Sequence, residues 1–353
     1  VRVGEMNFYI HGEKVDSALL NQIREKGVAV VLDAGGGSIR GKGFGDQDKL
    51  YMSGENALKA ILDGLGSDGK RAQIQCLKDK LTFRKLISPL YPNFKFCRLD
   101  ELEQHLLGQQ DFCIVKPRDG FFGLGVQKLA YQEFQKFQVP NPTEWMVEEC
   151  IPGDEYSVDL YYDSDGDPVI VNICHHPEHS DSRYSNTLYY TSQRVFDDLY
   201  TPVLRFFSHL KEILNLRSFP IHAEFKWSKA QGLIPIELNP LRFGGFGLAE
   251  LPLHAFGFNP VEMFFLDQRP DWQKIWSDRK SYYYGWVLRY NPSRHVLEQG
   301  ALDHVGFQER FRKILHYKEI DFRANPVCGI AYVEENSVDS LFGLLNLNFE
   351  LIA

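Results

Sequence analysis

The side chains best suited to chemistry cluster in residues 221–245, IHAEFKWSKAQGLIPIELNPLRFGG. Ile221, Ala223, Phe225 and Trp227 alternate with His222, Glu224 and Lys226. After a polar stretch ending in Gly232, Ile234, Ile236 and Leu238 alternate with Pro235, Glu237 and Asn239. Period-two alternation predicts two half-buried strands, and the glycine-ended connection predicts a hairpin. With Lys226 opposite Pro235, Glu224 falls opposite Glu237 and His222 opposite Asn239. One face is then wholly apolar, and the other carries two carboxylates, an amide and an imidazole. Like charges directly opposite destabilise a sheet, so something should offset them. A hard divalent cation would do so, because Mg²⁺ is held by one or two carboxylates plus substrate phosphates. A carboxylate, carboxylate, carboxamide set suits Mg²⁺ or Mn²⁺ better than zinc. An ordinary solvated sheet face is the alternative, since any half-exposed sheet alternates in this way.

Cations and glycines lie upstream. An apolar strand over 112–116 ends on Lys116 and runs into Pro-Arg-Asp-Gly-Phe-Phe-Gly-Leu-Gly-Val. Gly120, Gly123 and Gly125 let backbone N–H groups approach an anion, and Lys116 at the root adds charge. A plain β-turn with a strand-end lysine is the alternative. An earlier glycine-rich stretch, GGGSIRGKGFG over 35–45, fits no phosphate-binding spacing and reads as turns or a mobile loop. Residues 145–162 read as strand, Pro-Gly turn at 152–153, and strand, with Glu148, Glu149 and Glu155 around the turn. The polar segment 175–193 carries His175, His176, His179, Arg183 and Tyr189. It reads as a substrate-covering loop before it reads as a metal site.

These groups need a scaffold. Residues 1–70 predict a small α/β unit, with a helix over 17–26, an apolar run over 28–32, a helix over 55–65 and a linker over 64–70. Residues 73–139 predict a helix over 73–90 containing Lys80, a short strand over 94–96, a helix over 99–107 and the 112–116 strand. Residues 140–265 hold the glutamate-rich strand pair, a strand over 169–174, an amphipathic helix over 199–214, the hairpin, and helices over 247–257 and 260–266. Residues 266–353 predict a strand over 282–290, a helix over 305–315, a strand over 327–333 and a last helix over 337–345. This tail completes the core as a small C-terminal α/β extension.

The chain of 353 residues has room for about two or three domains. Its net charge of −8 argues against a nucleic-acid binder that works by neutralising phosphates. No apolar run reaches the roughly 20 residues of a membrane span. The first residues lack the apolar core of a signal peptide. Six widely spaced cysteines form no CxxC and read as reduced core thiols of a cytoplasmic protein.

Taken in order, these motifs resemble the ATP-grasp superfamily over roughly residues 73–265, closest to the carboxylate–amine ligase branch of D-alanine–D-alanine ligase and the L-amino-acid ligases. The resemblance implies an α+β ATP-grasp fold, two subdomains gripping ATP behind an N-terminal α/β domain. It makes Lys80 and Lys116 nucleotide-phosphate lysines and 120–125 the glycine loop over the triphosphate. It makes Glu148, Glu149 and Ile151 part of the strand that reads adenine, and Glu155 the ribose carboxylate. Glu224, Glu237 and Asn239 become the Mg²⁺ (or Mn²⁺) ligands. His222 resembles the histidine of a His-x-Glu motif in the L-amino-acid ligase branch. Arg242 resembles an arginine that holds an acyl phosphate, although here Leu241 separates it from Asn-Pro. The implied reaction joins a small-molecule carboxylate to an amine, an amino acid or small peptide, with release of ADP and phosphate; Arg242, Lys116 and His222 would be catalytic. A phosphotransferase and a non-catalytic nucleotide-binding protein are the alternatives, and a homodimer is compatible with either state of activity.

Overall fold

The computed structural model describes residues 6–12, 17–34, 39, 42–101, 112–120, 124–177, 187–228, 231–290, 303–321 and 327–345. Three sheets carry the site. The first holds β1 (Asn7–His11), β2 (Val30–Asp33) and β3 (Lys49–Met52), parallel in the order β2-β1-β3. The helix Ala18–Lys26 makes the crossover from β1 to β2. Ser17 caps its first turn by accepting from Leu20 N, and Gly27 closes it at φ 60°. The second is a small antiparallel sheet of β4 (Phe96–Arg98), β5 (Phe112–Pro117), β6 (Gln127–Ala130) and β7 (Trp145–Glu149), ordered β4-β7-β5-β6.

The third sheet has eight antiparallel strands. They are β8 (Asp154–Tyr162), β9 (Pro168–His176), β10 (Leu188–Ser192), β11 (Phe219–Ser228), β12 (Gly232–Pro240), β13 (Tyr283–Tyr290), β14 (Lys313–Glu319) and β15 (Val327–Glu335), in the order β12-β11-β8-β9-β10-β13-β15-β14. Strands after residue 265 therefore continue the hairpin's own sheet. The helix Gln193–Leu214 packs beneath that sheet. Its apolar stripe of Val203, Phe206, Phe207 and Leu210 is buried, and Phe206 and Phe207 meet Phe225 edge-on at 5.5 and 5.9 Å. The alternating apolar residues Ile221, Ala223 and Phe225 are fully buried on this side. Burial at roughly 25 cal/mol per Å² thus fixes which face of the hairpin is left for chemistry.

Several sequence expectations change. The helix expected over 73–90 is two, Asp68–Lys78 and Lys80–Ile87, broken at Asp79. Asp79 is extended at ψ 105° and caps the second helix by accepting from Thr82 N at 2.7 Å. Residues 68–70 of the expected linker already belong to the first of these helices. The short strand is Phe96–Arg98, not 94–96, and a 3-10 turn Leu99–Glu101 begins where a helix was expected; 102–111 lie outside the described residues. Of the helix expected over 305–315, only His304–Gln308 is helical, and Lys313 onward pairs with β15 instead. His175 and His176 lie in β9 and Tyr189 in β10, while His179 and Arg183 lie outside the described residues, as does most of the first glycine stretch.

The hairpin register also differs from the simple alternation. Glu224 does face Glu237, and His222 faces Asn239. A β-bulge between Glu224 and Phe225 then pairs Phe225 with Pro235 and Lys226 with Ile234. Ile236 is the extra residue. A bulge re-aims side chains, and here Ile234 and Ile236 line the same cavity as Glu237.

Candidate nucleotide and carboxylate site

A cavity of about 1150 Å³ opens between the four-stranded and eight-stranded sheets, with the end of β3 at one side. Lys80 of the second helix and Lys116 at the end of β5 supply its cationic wall, with Glu148 of β7 beside them. The Asp79 break places Lys80 in the first helical turn, where its N–H donates to Arg118 O at 2.9 Å. Its ammonium bridges Glu237 Oε2 at 2.9 Å and Gly120 O at 2.9 Å.

Lys116 is 2% exposed and pairs with Glu148 Oε1 at 2.5 Å. Arg84 grips the other oxygen of Glu148 through Nε and Nη2, at 3.1 and 2.9 Å. Its Nη1 donates to Pro235 O at 2.7 Å, at the bulge. Burial alone would raise the Glu148 carboxyl, but Arg84 and Lys116 overcome it and hold the group below its ordinary range. Burial pulls Lys116 below its ordinary range, with Arg84 and Lys80 adding to the pull and Glu148 opposing it. The side chain of Glu148 is thus spent on two cations, and contact with a base could come only from its backbone.

The acidic wall is the hairpin. The Glu224–Glu237 repulsion is offset by protein cations: Lys80 on Glu237, and His222 Nε2 3.6 Å from Glu224 Oε1. Burial would raise Glu237, yet Lys80 and an N–H from Asn239 at 3.0 Å push it down to about 2. His222 Nδ1 donates to Oδ1 of buried Asp159, 2.7 Å away. Burial would lower its pKa, but Asp159 and Glu224 raise it to about 9, so the ring is charged at neutral pH. Asp159 Oδ1 also accepts from Gly244 N at 2.8 Å, which ties the loop after β12 to β8.

Arg242 enters the cavity because of Leu241. That residue is fully buried at φ 62°, a left-handed conformation rare for leucine. Its N–H donates to Pro220 O at 2.8 Å and its carbonyl accepts from Met52 N at 2.8 Å. The residue between Asn-Pro and Arg242 is therefore the joint between the hairpin and β3. Just beyond β3, Glu55 pairs with Arg242 Nε at 2.8 Å and with Lys78 Nζ at 2.9 Å.

The cavity brings together Lys80, Lys116, Glu148, Glu149, Ile151, Glu155, His222, Glu224, Glu237 and Arg242. Asn239, 2% exposed, sits behind Glu237 with Oδ1 3.4 Å from Lys78. Gly120 and Gly125 do not line it, and Gly123 lies outside the described residues. At Gly125, φ is 80° and a Cβ would stand 2.9 Å from Pro117, so the turn requires glycine. Glu155 is held by His176 at 2.8 Å and Lys226 at 3.2 Å. Sequence reasoning missed Glu55, Lys78, Arg84 and Asp159. Only Arg84 carried a signal, standing four residues after Lys80 on one helix face.

Residues 110–250 match the family model of an ATP-grasp domain. That stretch is an ATP-grasp domain. Solved structures share the ATP-grasp fold along nearly the whole chain. An L-amino acid ligase from Bacillus licheniformis superposes with a TM-score of 0.68 at 13% identity, covering 96% of each chain. The N5-carboxyaminoimidazole synthetase from Staphylococcus aureus, complexed with ADP, gives 0.64 at 12% identity over 98% of this chain and 97% of that one. The phosphoribosylglycinamide synthetase from Anaerococcus prevotii gives 0.61 at 14% identity over 97% of each. Comparison with curated proteins finds no match. Among the described residues no helix is long and apolar enough to cross a membrane. Nor do three or more His, Cys, Asp or Glu among them form a metal-holding group; the candidate set, two carboxylates and an amide, is of another composition.

Proposed function

We propose that this ATP-grasp protein is an ATP-dependent ligase that joins a carboxylate to an amine through an acyl phosphate, releasing ADP and phosphate. The observation that carries the reading is the pair of opposed walls, Lys80 and Lys116 facing Glu224 and Glu237, with Arg242 beside them in one cavity. The ligases and synthetases that share its fold support the same class of reaction.

The purine would lie among Phe94, Ile114, Ile151, Ile234 and Ile236, an apolar end made partly by the bulge. Lys116 and Lys80 would neutralise phosphate oxygens, and phosphoryl transfer needs little more from a protein than such positioning and charge. The donor chemistry of Glu224, Glu237 and Asn239 fits Mg²⁺ or Mn²⁺, and Glu237 is anionic throughout the physiological range. Glu224, Glu237 and Asn239 would hold such an ion, whose chemistry there would be to neutralise charge on the transferring group. Lys80 would then exchange Glu237 for phosphate. Arg242 would hold the acyl phosphate, and closure of the small sheet over the cavity would keep water from it.

A grid of amino acids, small acids and amines, assayed for Mg²⁺-dependent ADP release with mass detection, tests this. At least one pair should yield ADP together with its condensed, dehydrated product. ADP accompanied only by a phosphorylated acid would replace the ligase with a phosphotransferase.

A further inference from the structure

Amide formation needs an unprotonated amine, and an aliphatic amine reaches a neutral-pH site as ammonium. Something must bind that ammonium and take its proton. The carboxylates of Glu148 and Glu155 are committed to Arg84 and Lys116 and to His176 and Lys226. Glu224 and Glu237 are the candidate metal pair. Glu55 is different. It belongs to the N-terminal unit, lines the cavity, and faces the arginine assigned to the acyl phosphate.

Its placement is built, not incidental. Met52 N is bonded to Leu241 O, which fixes the end of β3 against the hairpin exit. Gly54 follows, so close to Gly12 that a Cβ would stand 2.8 Å from the Gly12 carbonyl oxygen. Glu55 then opens a 3-10 turn with 13% of its side chain exposed, and its oxygens meet Arg242 and Lys78.

Resting on the ligase reading, we propose that Glu55 is the acceptor-amine residue: it binds the incoming ammonium beside Arg242 and takes one proton from it. In this structure Arg242 and Lys78 stand in for that ammonium. When Arg242 turns to an acyl phosphate it meets a more highly charged partner, and one oxygen of Glu55 becomes available. The step balances. The ammonium gives a proton to Glu55, and the freed lone pair attacks the acyl carbon. The C–N bond forms, the C–O bond to phosphate breaks, and phosphate leaves with the electron pair. The second nitrogen proton departs with phosphate, and Glu55 returns its proton to solvent.

Hydroxylamine separates this role from structural support, because it is an unprotonated nucleophile at neutral pH and needs no base. The full-length wild type, Glu55→Gln and Glu55→Asp are each given Mg-ATP and a pool of amino acids, with or without hydroxylamine. Hydroxamate, amide and ADP are then measured. Glu55→Gln should make hydroxamate within a few-fold of wild type and lose amide formation about 100-fold or more, the scale of general base catalysis. Raising the pH should restore part of its amide rate, since the acceptor then arrives neutral. Glu55→Asp, which keeps the charge, should fall between. Hydroxamate and amide falling together in both variants would reduce Glu55 to a support for Arg242 and overturn the assignment, as would an unchanged amide rate. A wild type that makes neither product overturns the ligase reading instead, and this assignment with it.

Discussion

Glu237→Gln should bring Mg²⁺-dependent ADP release below about one-hundredth of the wild-type rate, in a protein that still folds but unfolds at a lower urea midpoint because the Lys80 ion pair is lost. Groups that merely orient metal ligands cost 10- to 100-fold when removed, and Glu237 is assigned as a ligand itself. The amide keeps the shape and the N–H contact from Asn239 at 3.0 Å is replaceable, but the negative charge is gone. Lys80, 2.9 Å away, loses its ion pair and keeps only the Gly120 carbonyl. The check is a coupled ADP assay across a Mg²⁺ titration, beside a urea melt. Turnover at the wild-type level and wild-type Mg²⁺ dependence would remove Glu237 from the metal set.

The second large effect is on stability. Glu148→Ala should destabilise the protein by about 3–5 kcal/mol, the cost of leaving buried charges without their partner. Arg84, Lys116 and Glu148 are each no more than 2% exposed, so the lost carboxylate leaves two poorly solvated cations. Pro235 O still receives one N–H of Arg84, which leaves Lys116 the more exposed to the loss. The same triad sets an acid limit. Because the folded Glu148 carboxyl lies below its ordinary value, its stabilisation is complete above the unfolded glutamate range. It declines as the pH falls through the folded value. Urea midpoints from neutral to acidic pH should drop in the wild type and stay flatter in Glu148→Ala. Parallel curves would show that the triad contributes little.

Much of the fold could be read from the chain. Alternation at period two is forced wherever one face of a strand is buried, so the hairpin followed from residue types. The pairing of Glu224 with Glu237 rested on setting Lys226 opposite Pro235, and it holds although Lys226 in fact pairs with Ile234. The ATP-grasp fold was legible for the same reason, through motifs that each sit on a short, strongly patterned element. The bulge was not, because Pro235 and Ile236 fit either register and only the packing of Phe225 on the helix beneath decides between them. The break at Asp79 was masked by apolar residues that keep helical spacing across it. Partners of the site charges were hidden by distance along the chain. Arg84 meets Glu148 across 64 residues and Arg242 meets Glu55 across 187, and no local pattern reports such contacts. Leu241 looked like a residue in the way. Its left-handed backbone is what turns Arg242 into the cavity.

The central claim is that an acid is activated on a phosphoryl group before an amine attacks it, and the fate of the acid's own oxygen decides it. An acid substrate carrying oxygen-18 in its carboxylate is turned over with Mg-ATP and acceptor, and the released phosphate is analysed by mass. The acyl-phosphate route predicts that one labelled oxygen per turnover appears in inorganic phosphate and that none appears in ADP. Phosphate free of label, formed while amide accumulates, would contradict it.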